Sequence, residues 1–341
     1  MTGVEIGLGI QSDKPAGQYA RLAHRAEQHG FDVLSVYGDL MYQPPIFPLL
    51  EMAAVTERVR LGPACLNPYS LAPYEIAGQV ASLDLASRGR AYLGLARGAW
   101  LGEVGITQRR PVTTLAEAVE VIYRLLGGDV SGFSGSVFQL APGTGLRYRV
   151  QRPDPPLLIG AWGPKGAALA GRVAQELKVG GSTNPDMVPV IRERIRVGAE
   201  AAGRSVDEIR IVFGAVTVVD TDRRVARRLA RTEVAMYLAV VAELDPTVQV
   251  PPELLARVKQ LVADGDPEAA GRLIPGDLLD KFAFAGDPEQ VAAQAQALID
   301  AGVGRVEFGT PHGLTGEQGV DLLGSAVLPM LNRHPARGEG A

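Results

Sequence analysis

The stretch "VEIGLGIQSDKPAGQYARLAHRAEQHG" (residues 4–30) decides the fold. It opens on a short apolar run. In "GQYARLAHRAEQHG" the apolar Tyr19, Leu22, Ala23 and Ala26 then recur at helical spacing until Gly30 stops the pattern. This is a strand followed by an amphipathic helix, and the same unit recurs outward from it. "FDVLSVYG" (31–38) leads to "FPLLEMAAVTERV", "RLGPACLNP" (60–68) to "YEIAGQVASLDLASRGR", and "AYLGLARG" (91–98) to "TLAEAVEVIYRLLGG". Four strand–helix units are complete by residue 128.

Residues 129–155, "DVSGFSGSVFQLAPGTGLRYRVQRPDP", lose the helical period and read as an inserted hairpin region. The alternation then resumes with "PLLIGAWG", "ELKVGG", "EIRIVFGAVTVVD" and "VGRVEFGTP", each followed by helical sequence, including stretches at 253–264 and 287–301. Eight such units predict an α/β fold, a (β/α)8 TIM barrel with an insertion between strands 4 and 5, occupying residues 1–334 as a single domain. Residues 335–341 read as a loose tail. An open doubly wound sheet is the alternative. Against it, "GLGIQSDKP" lacks the third glycine and the helix start of a dinucleotide fingerprint.

The chain has 341 residues, 46% of them apolar and 21% charged, which suits a globular protein with a sizeable core. A net charge of −4 with mixed signs argues against nucleic-acid partners and an anionic membrane surface. The first residues lack a basic region and a long apolar run, so neither a signal peptide nor a membrane span is expected. One cysteine, Cys65, allows no intrachain disulfide and no cysteine metal cluster; together these readings place the protein in the cytoplasm, with no metal expected.

A barrel of this kind carries its chemistry on the loops after the strands' C-terminal ends. After strand 2, Asp39 in "VYGDLMYQPP" offers a carboxylate to a cofactor or ligand amide, against a plain turn aspartate before Pro44 and Pro45. After strand 3, "LGPACLNPYSLAP" is stiffened by prolines and suits a surface for a flat ring, with Cys65 read as packing. After strand 4, "GLARGAWLGEVG" sets out Arg97, Trp100 and Glu103, the last a candidate general acid or base against a solvated carboxylate. After strand 5, "IGAWGPKGAALAG" combines Gly160, Gly163 and Gly166 with Lys165 at a helix N-terminus. That describes a phosphate cradle, to which Gly180, Gly181 and Ser182 after strand 6 would add donors; an ordinary glycine-rich turn is the alternative. After strand 8, His312 lies in a Gly/Pro-rich loop and is a candidate proton donor, as is Tyr69, whereas His24 and His29 fall on the first helix and His334 in the tail.

The chain resembles the bacterial-luciferase-like flavin and deazaflavin oxidoreductases, and most of all their methylene-tetrahydromethanopterin reductase branch. The resemblance is carried by "RVRLGPACLNPYSLAP", similar to that branch's "LGxGVTNPY", by "LIGAWGPKGAALAG", similar to its "GPKMLELAG", and by the insertion after strand 4. It implies coenzyme F420 as cofactor and hydride transfer to or from a small organic substrate. It also implies a ring seated on a bulge with a non-prolyl cis peptide at Ala64 and Cys65, Leu66 and Asn67 beside it, Asp39 near the ring, and a tail phosphate held by Trp162, Gly163, Lys165 and Gly166. Relatives that oxidise a sugar phosphate carry a histidine after the aspartate and a glutamate in the strand 4 loop, where this chain has Leu40 and Ala99. The alternatives are an FMN-dependent monooxygenase and a non-catalytic cofactor-binding barrel. The resemblance further implies a homodimer, with the helices after strands 2 and 3 as the candidate interface.

Overall fold

The computed structural model describes residues 3–333; His334 and the tail expected to be loose lie outside the described residues. Its elements in chain order are β1 (Glu5–Ile10), α1 (Gln18–His29), β2 (Val33–Val36), α2 (Ile46–Ala53), β3 (Arg60–Pro63), α3 (Pro73–Ala86), β4 (Leu93–Ala96) and α4 (Pro111–Gly127). A short antiparallel pair follows, β5 (Phe133–Ser134) with β6 (Gln139–Leu140), and then β7 (Leu157–Gly160), α5 (Pro164–Val173), β8 (Glu176–Gly180), α6 (Met187–Ala201) and β9 (Arg210–Val219). An excursion through α7 (Arg223–Val241), α8 (Pro252–Ala263), α9 (Pro267–Arg272) and α10 (Gly276–Phe282) returns to β10 (Ala283–Gly286). The chain ends in α11 (Pro288–Asp300), β11 (Arg305–His312) and α12 (Gly316–Leu322).

Eight parallel strands run in the order β3-β2-β1-β11-β9-β8-β7-β4, and isolated bridges Leu61–Ala91 and Leu66–Leu95 join the two ends. This is the (β/α)8 barrel that the alternating pattern predicts, closed at a seam between β3 and β4. β10 has no counterpart in the sequence reading. It pairs with the far half of β9, Ala283 opposite Val216 through Gly286 opposite Val219, beyond the point where β8 ends opposite Gly214. β9 is long enough to serve both partners, and four residues of "AFAG" inside a helical neighbourhood carry no period of their own.

Two layers of core follow from the alternation of strand side chains. Ile6, Leu8 and Ile10 of β1 face outward and share the main apolar cluster with Leu22 and Ala26 of α1, a helix stopped by Gly30 at φ 83°. Inside the barrel a separate cluster forms from Val33, Tyr92, Leu158 and Val212, with Cys65 against it. The excursion has its own core, in which Val234 and Leu238 of α7 meet Val258, Ile274 and Phe282.

Candidate active site at the barrel mouth

The seam supplies the first feature. Between its two bridges β3 contributes residues 62–65 where β4 contributes 92–94, so one extra residue is accommodated as a bulge. The Ala64–Cys65 peptide within it is cis, the conformation the resemblance implies for these residues. The bulge beds on backbone: a Cβ at Gly94 would lie 1.9 Å from the Pro63 carbonyl oxygen, and one at Gly38 would lie 2.4 Å from that of Cys65. Leu66 donates to Gly94 O at 2.9 Å, and Asn67 Oδ1 accepts from the Tyr69 and Ser70 amides, so the segment after the bulge is tied down at both ends.

Asp39 follows Gly38 and is half-buried. Burial raises its pKa, and a hydrogen bond from the Gln11 side chain and then the Lys178 ammonium pull it part of the way back. Cys65 is pushed up to about 12 by burial, so the thiol stays protonated and serves as packing against Gly160, where a Cβ would come within 3.0 Å of Sγ. Toward the mouth the inward positions narrow to glycine. The Tyr37 hydroxyl fills the space that a Cβ at Gly9 or Gly309 would need, while a Cβ at Gly180 would meet nothing within 4 Å. These small residues line a bowl at the mouth, with the bulge on its β3 side.

Below the bowl lies a buried ion network that sequence reasoning missed. Lys178 on β8 pairs with Glu307 on β11, which accepts from Ser35 Oγ at 2.5 Å; Ser35 in turn meets the Tyr92 hydroxyl at 2.6 Å. Arg305 lies 4.0 Å from Glu307 and 3.0 Å from Glu176, and Glu176 also takes Arg60 at 2.8 Å and Arg210 at 3.0 Å. Burial pushes Glu176 up, but Arg305 and Arg60 outweigh it and hold the carboxyl at about 2. Glu307 is likewise held below its usual range, with Lys178 and Arg305 outweighing burial. "ELKVGG" and "RVEFGTP" alternate charged and apolar residues, the pattern that elsewhere marks a solvated face, so nothing local announced that these charges point inward.

The second feature is the start of α5. Gly163 caps it in an extended conformation, Pro164 occupies the first turn, and Lys165 is exposed. A Cβ on Gly163 would meet nothing within 4 Å, so a ligand has room to reach the backbone there. Trp162 Nε1 donates to Gly180 O at 3.0 Å and fastens this loop to the end of β8. A second cation, Arg194 on α6, donates to Trp162 O at 2.6 Å; it lies 32 residues further along the chain, which is why it was missed.

Several of the expected site residues are already engaged within the protein. The Gly181 amide donates to Gly214 O at 2.6 Å, and Ser182 is fully buried with its Oγ accepting from the Asn184 amide. Tyr69 donates its hydroxyl proton to Arg109 O at 2.6 Å. His312 is 1% exposed with Nε2 3.1 Å from Gly9 O, and burial pushes its pKa down to about 4. The contact ties β11 to β1. Glu103 is exposed on a single 3-10 turn, Leu101–Val104, and Arg97 is exposed at the end of β4, its carbonyl accepting from Gln108.

Residues 1–305 match the family described as luciferase-like monooxygenase. The chain is 30% identical to a 5,10-methylenetetrahydromethanopterin reductase of Methanopyrus kandleri, over 95% of this chain and 98% of that protein. It is 30% identical to an F420-dependent glucose-6-phosphate dehydrogenase of Nakamurella multipartita, over 92% of each chain. The solved structure of a coenzyme F420 dependent tetrahydromethanopterin reductase from Methanopyrus kandleri superposes with a TM-score of 0.86 at 26% identity, over 97% of this chain and 100% of that one. Bulge, glycine-lined bowl and matching relatives over nearly the full length agree, and the chain belongs to the luciferase-like family.

Proposed function

We propose that the protein is a coenzyme F420-dependent oxidoreductase that moves a hydride between the deazaflavin and a small organic substrate. The observation that carries this reading is the Ala64–Cys65 bulge, packed against the backbone of Gly38 next to Asp39 at the mouth of a barrel whose similar proteins include F420-dependent reductases and dehydrogenases. Bound there, the deazaflavin supplies the carbon that accepts or returns the hydride. Ala64, Cys65, Leu66 and Asn67 bed the ring, and Asp39 faces its polar edge. Trp162, Gly163, Lys165 and Gly166 receive the tail phosphate, Arg194 adds to the positive field there, and Gly180 and Arg97 line opposite parts of the rim. Hydride transfer asks chiefly for such positioning, so the absence of a histidine at Leu40 and a glutamate at Ala99 argues against a sugar-phosphate substrate and not against redox chemistry.

Among the described residues no helix is long and apolar enough to cross a membrane. A cytoplasmic enzyme with a single free thiol fits this reading. The same reading includes a homodimer. Phe47 on α2 and Tyr74 and Leu85 on α3 are 65%, 57% and 55% exposed, and a second copy would cover them.

The test is a fluorescence titration of the purified protein with coenzyme F420 and, separately, with FMN. Micromolar or tighter binding of the deazaflavin, weakened by Lys165→Ala, is expected. Preference for FMN together with oxygen consumption would make the protein a monooxygenase, and binding of neither would end the cofactor reading.

A further inference from the structure

The ion network under the bowl has a buried end and a partly exposed end. Four cations, Lys178, Arg305, Arg60 and Arg210, are linked through direct pairs to three carboxylates, Glu307, Glu176 and Glu5. Its upper end is the Lys178 ammonium, only 7% exposed, which lies 5.1 Å from the centroid of the Tyr37 ring. Lys178 is also the cation felt by both Asp39 and Cys65, the residues beside and within the bulge. In the buried end Lys178 and Arg305 are matched by Glu307 and Glu176, while Arg60 and Arg210 share the partly exposed Glu5; the Lys178 ammonium at the top still favours negative charge nearby, and Asp39 answers it only in part because burial opposes its ionisation.

We propose that Lys178 is a positioning residue whose charge, held by Glu307 at the top of the network, stabilises the negative charge that the ring gains on reduction. This rests on the cofactor reading above. The balance is simple. The organic substrate gives up a hydride, two electrons and one hydrogen nucleus, and is oxidised; the ring takes it at carbon and gains one negative charge until a proton follows. Of the groups that face Lys178, Glu307 is anionic, Arg305 beyond it cationic, Tyr37 and Cys65 neutral with pKa values raised by burial, and Asp39 a carboxyl whose ionisation burial opposes. Lys178 therefore acts through space, without touching substrate, and its effect differs between the two oxidation states of the ring.

The experiment compares the dissociation constants of oxidised and reduced coenzyme F420, titrated anaerobically into the full-length protein and its variants. The absorbance of the bound reduced form is followed against pH. In Lys178→Met the affinity for the reduced form should fall about tenfold relative to the oxidised form, and the bound reduced ring should hold its proton to higher pH. Glu307→Gln keeps the shape and an acceptor for Lys178 but removes the negative charge that offsets it, so it should shift both readouts the opposite way. It serves alone if Lys178→Met does not fold. A packing defect would weaken both oxidation states alike and move both variants in one direction, which would overturn the assignment while leaving the cofactor reading standing. Failure of the unaltered protein to bind either form would overturn both.

Discussion

Gly94→Ala puts the role of the bulge to the test. The added Cβ would lie 1.9 Å from Pro63 O, 3.0 Å from Pro63 C and 3.6 Å from Ala64 Cα, where ordinary contact begins at 3.4 Å. All three are backbone atoms, so no rotamer change relieves the overlap, and the bulge must move away from β4 by about 1.5 Å. Overpacking of this kind costs about 2 kcal/mol, which for a chain of this size lowers Tm by about 3 °C. The functional cost is larger, because a displacement of about 1 Å in the surface that orients a reactant costs on the order of a hundredfold in turnover. Thermal unfolding by circular dichroism and hydride-transfer rate with reduced coenzyme F420 measure the two parts. Gly163→Ala is the control, since its Cβ meets nothing and its φ of −73° suits any residue: Tm should be unchanged while cofactor affinity falls. A Gly94→Ala protein with unaltered Tm and unaltered rate would refute the argument that the bulge is bedded on β4 and orients the ring.

Three further outcomes are expected. Lys165→Ala should raise the Kd for coenzyme F420 about tenfold with no change in Tm, because an exposed lysine contributes charge to a bound phosphate and little to folding; an unchanged Kd in fluorescence titration removes it from the cradle. Burial holds the folded-state pKa of His312 at about 4, below its unfolded value, so the neutral imidazole stabilises the fold above about pH 6.5 and that contribution is lost as pH falls toward 4. Urea unfolding across this range should show a stability loss of up to about 3 kcal/mol that His312→Asn, tolerant of the positive φ, flattens. Sedimentation should give a dimer that Phe47→Glu with Leu85→Glu dissociates; a monomeric parent protein contradicts the interface on α2 and α3.

The barrel was legible because each strand–helix unit repeats two periods, an apolar run and a stripe at helical spacing, and Gly30 and Pro164 mark where one ends or begins. The loops that hold the candidate site were legible for the same reason, since a barrel fixes which strand ends face the mouth. What stayed hidden depends on contacts between distant parts of the chain. The commitment of the Gly181 amide to Gly214, the burial of His312 against Gly9 and the pairing of Lys178 with Glu307 across 129 residues leave no local trace. A lysine and a glutamate inside strands read as surface residues until the sheet closes and turns them inward. β10 escaped for a simpler reason: four residues are too few to show a period.

The seam between β3 and β4 has one more consequence. Elsewhere neighbouring barrel strands are zipped by continuous ladders, five matched positions between β1 and β11 alone, but here four hydrogen bonds, from Leu61, Tyr92, Leu66 and Ala96, hold the two edges across the bulge. Amide hydrogens at this joint should exchange with deuterium sooner than those of β1 and β11, as the barrel opens there first. A flat molecule laid along the bulge would act as a bolt across the gap, slowing exchange at Leu66 and Ala96, so that filling the site would also lock the barrel shut.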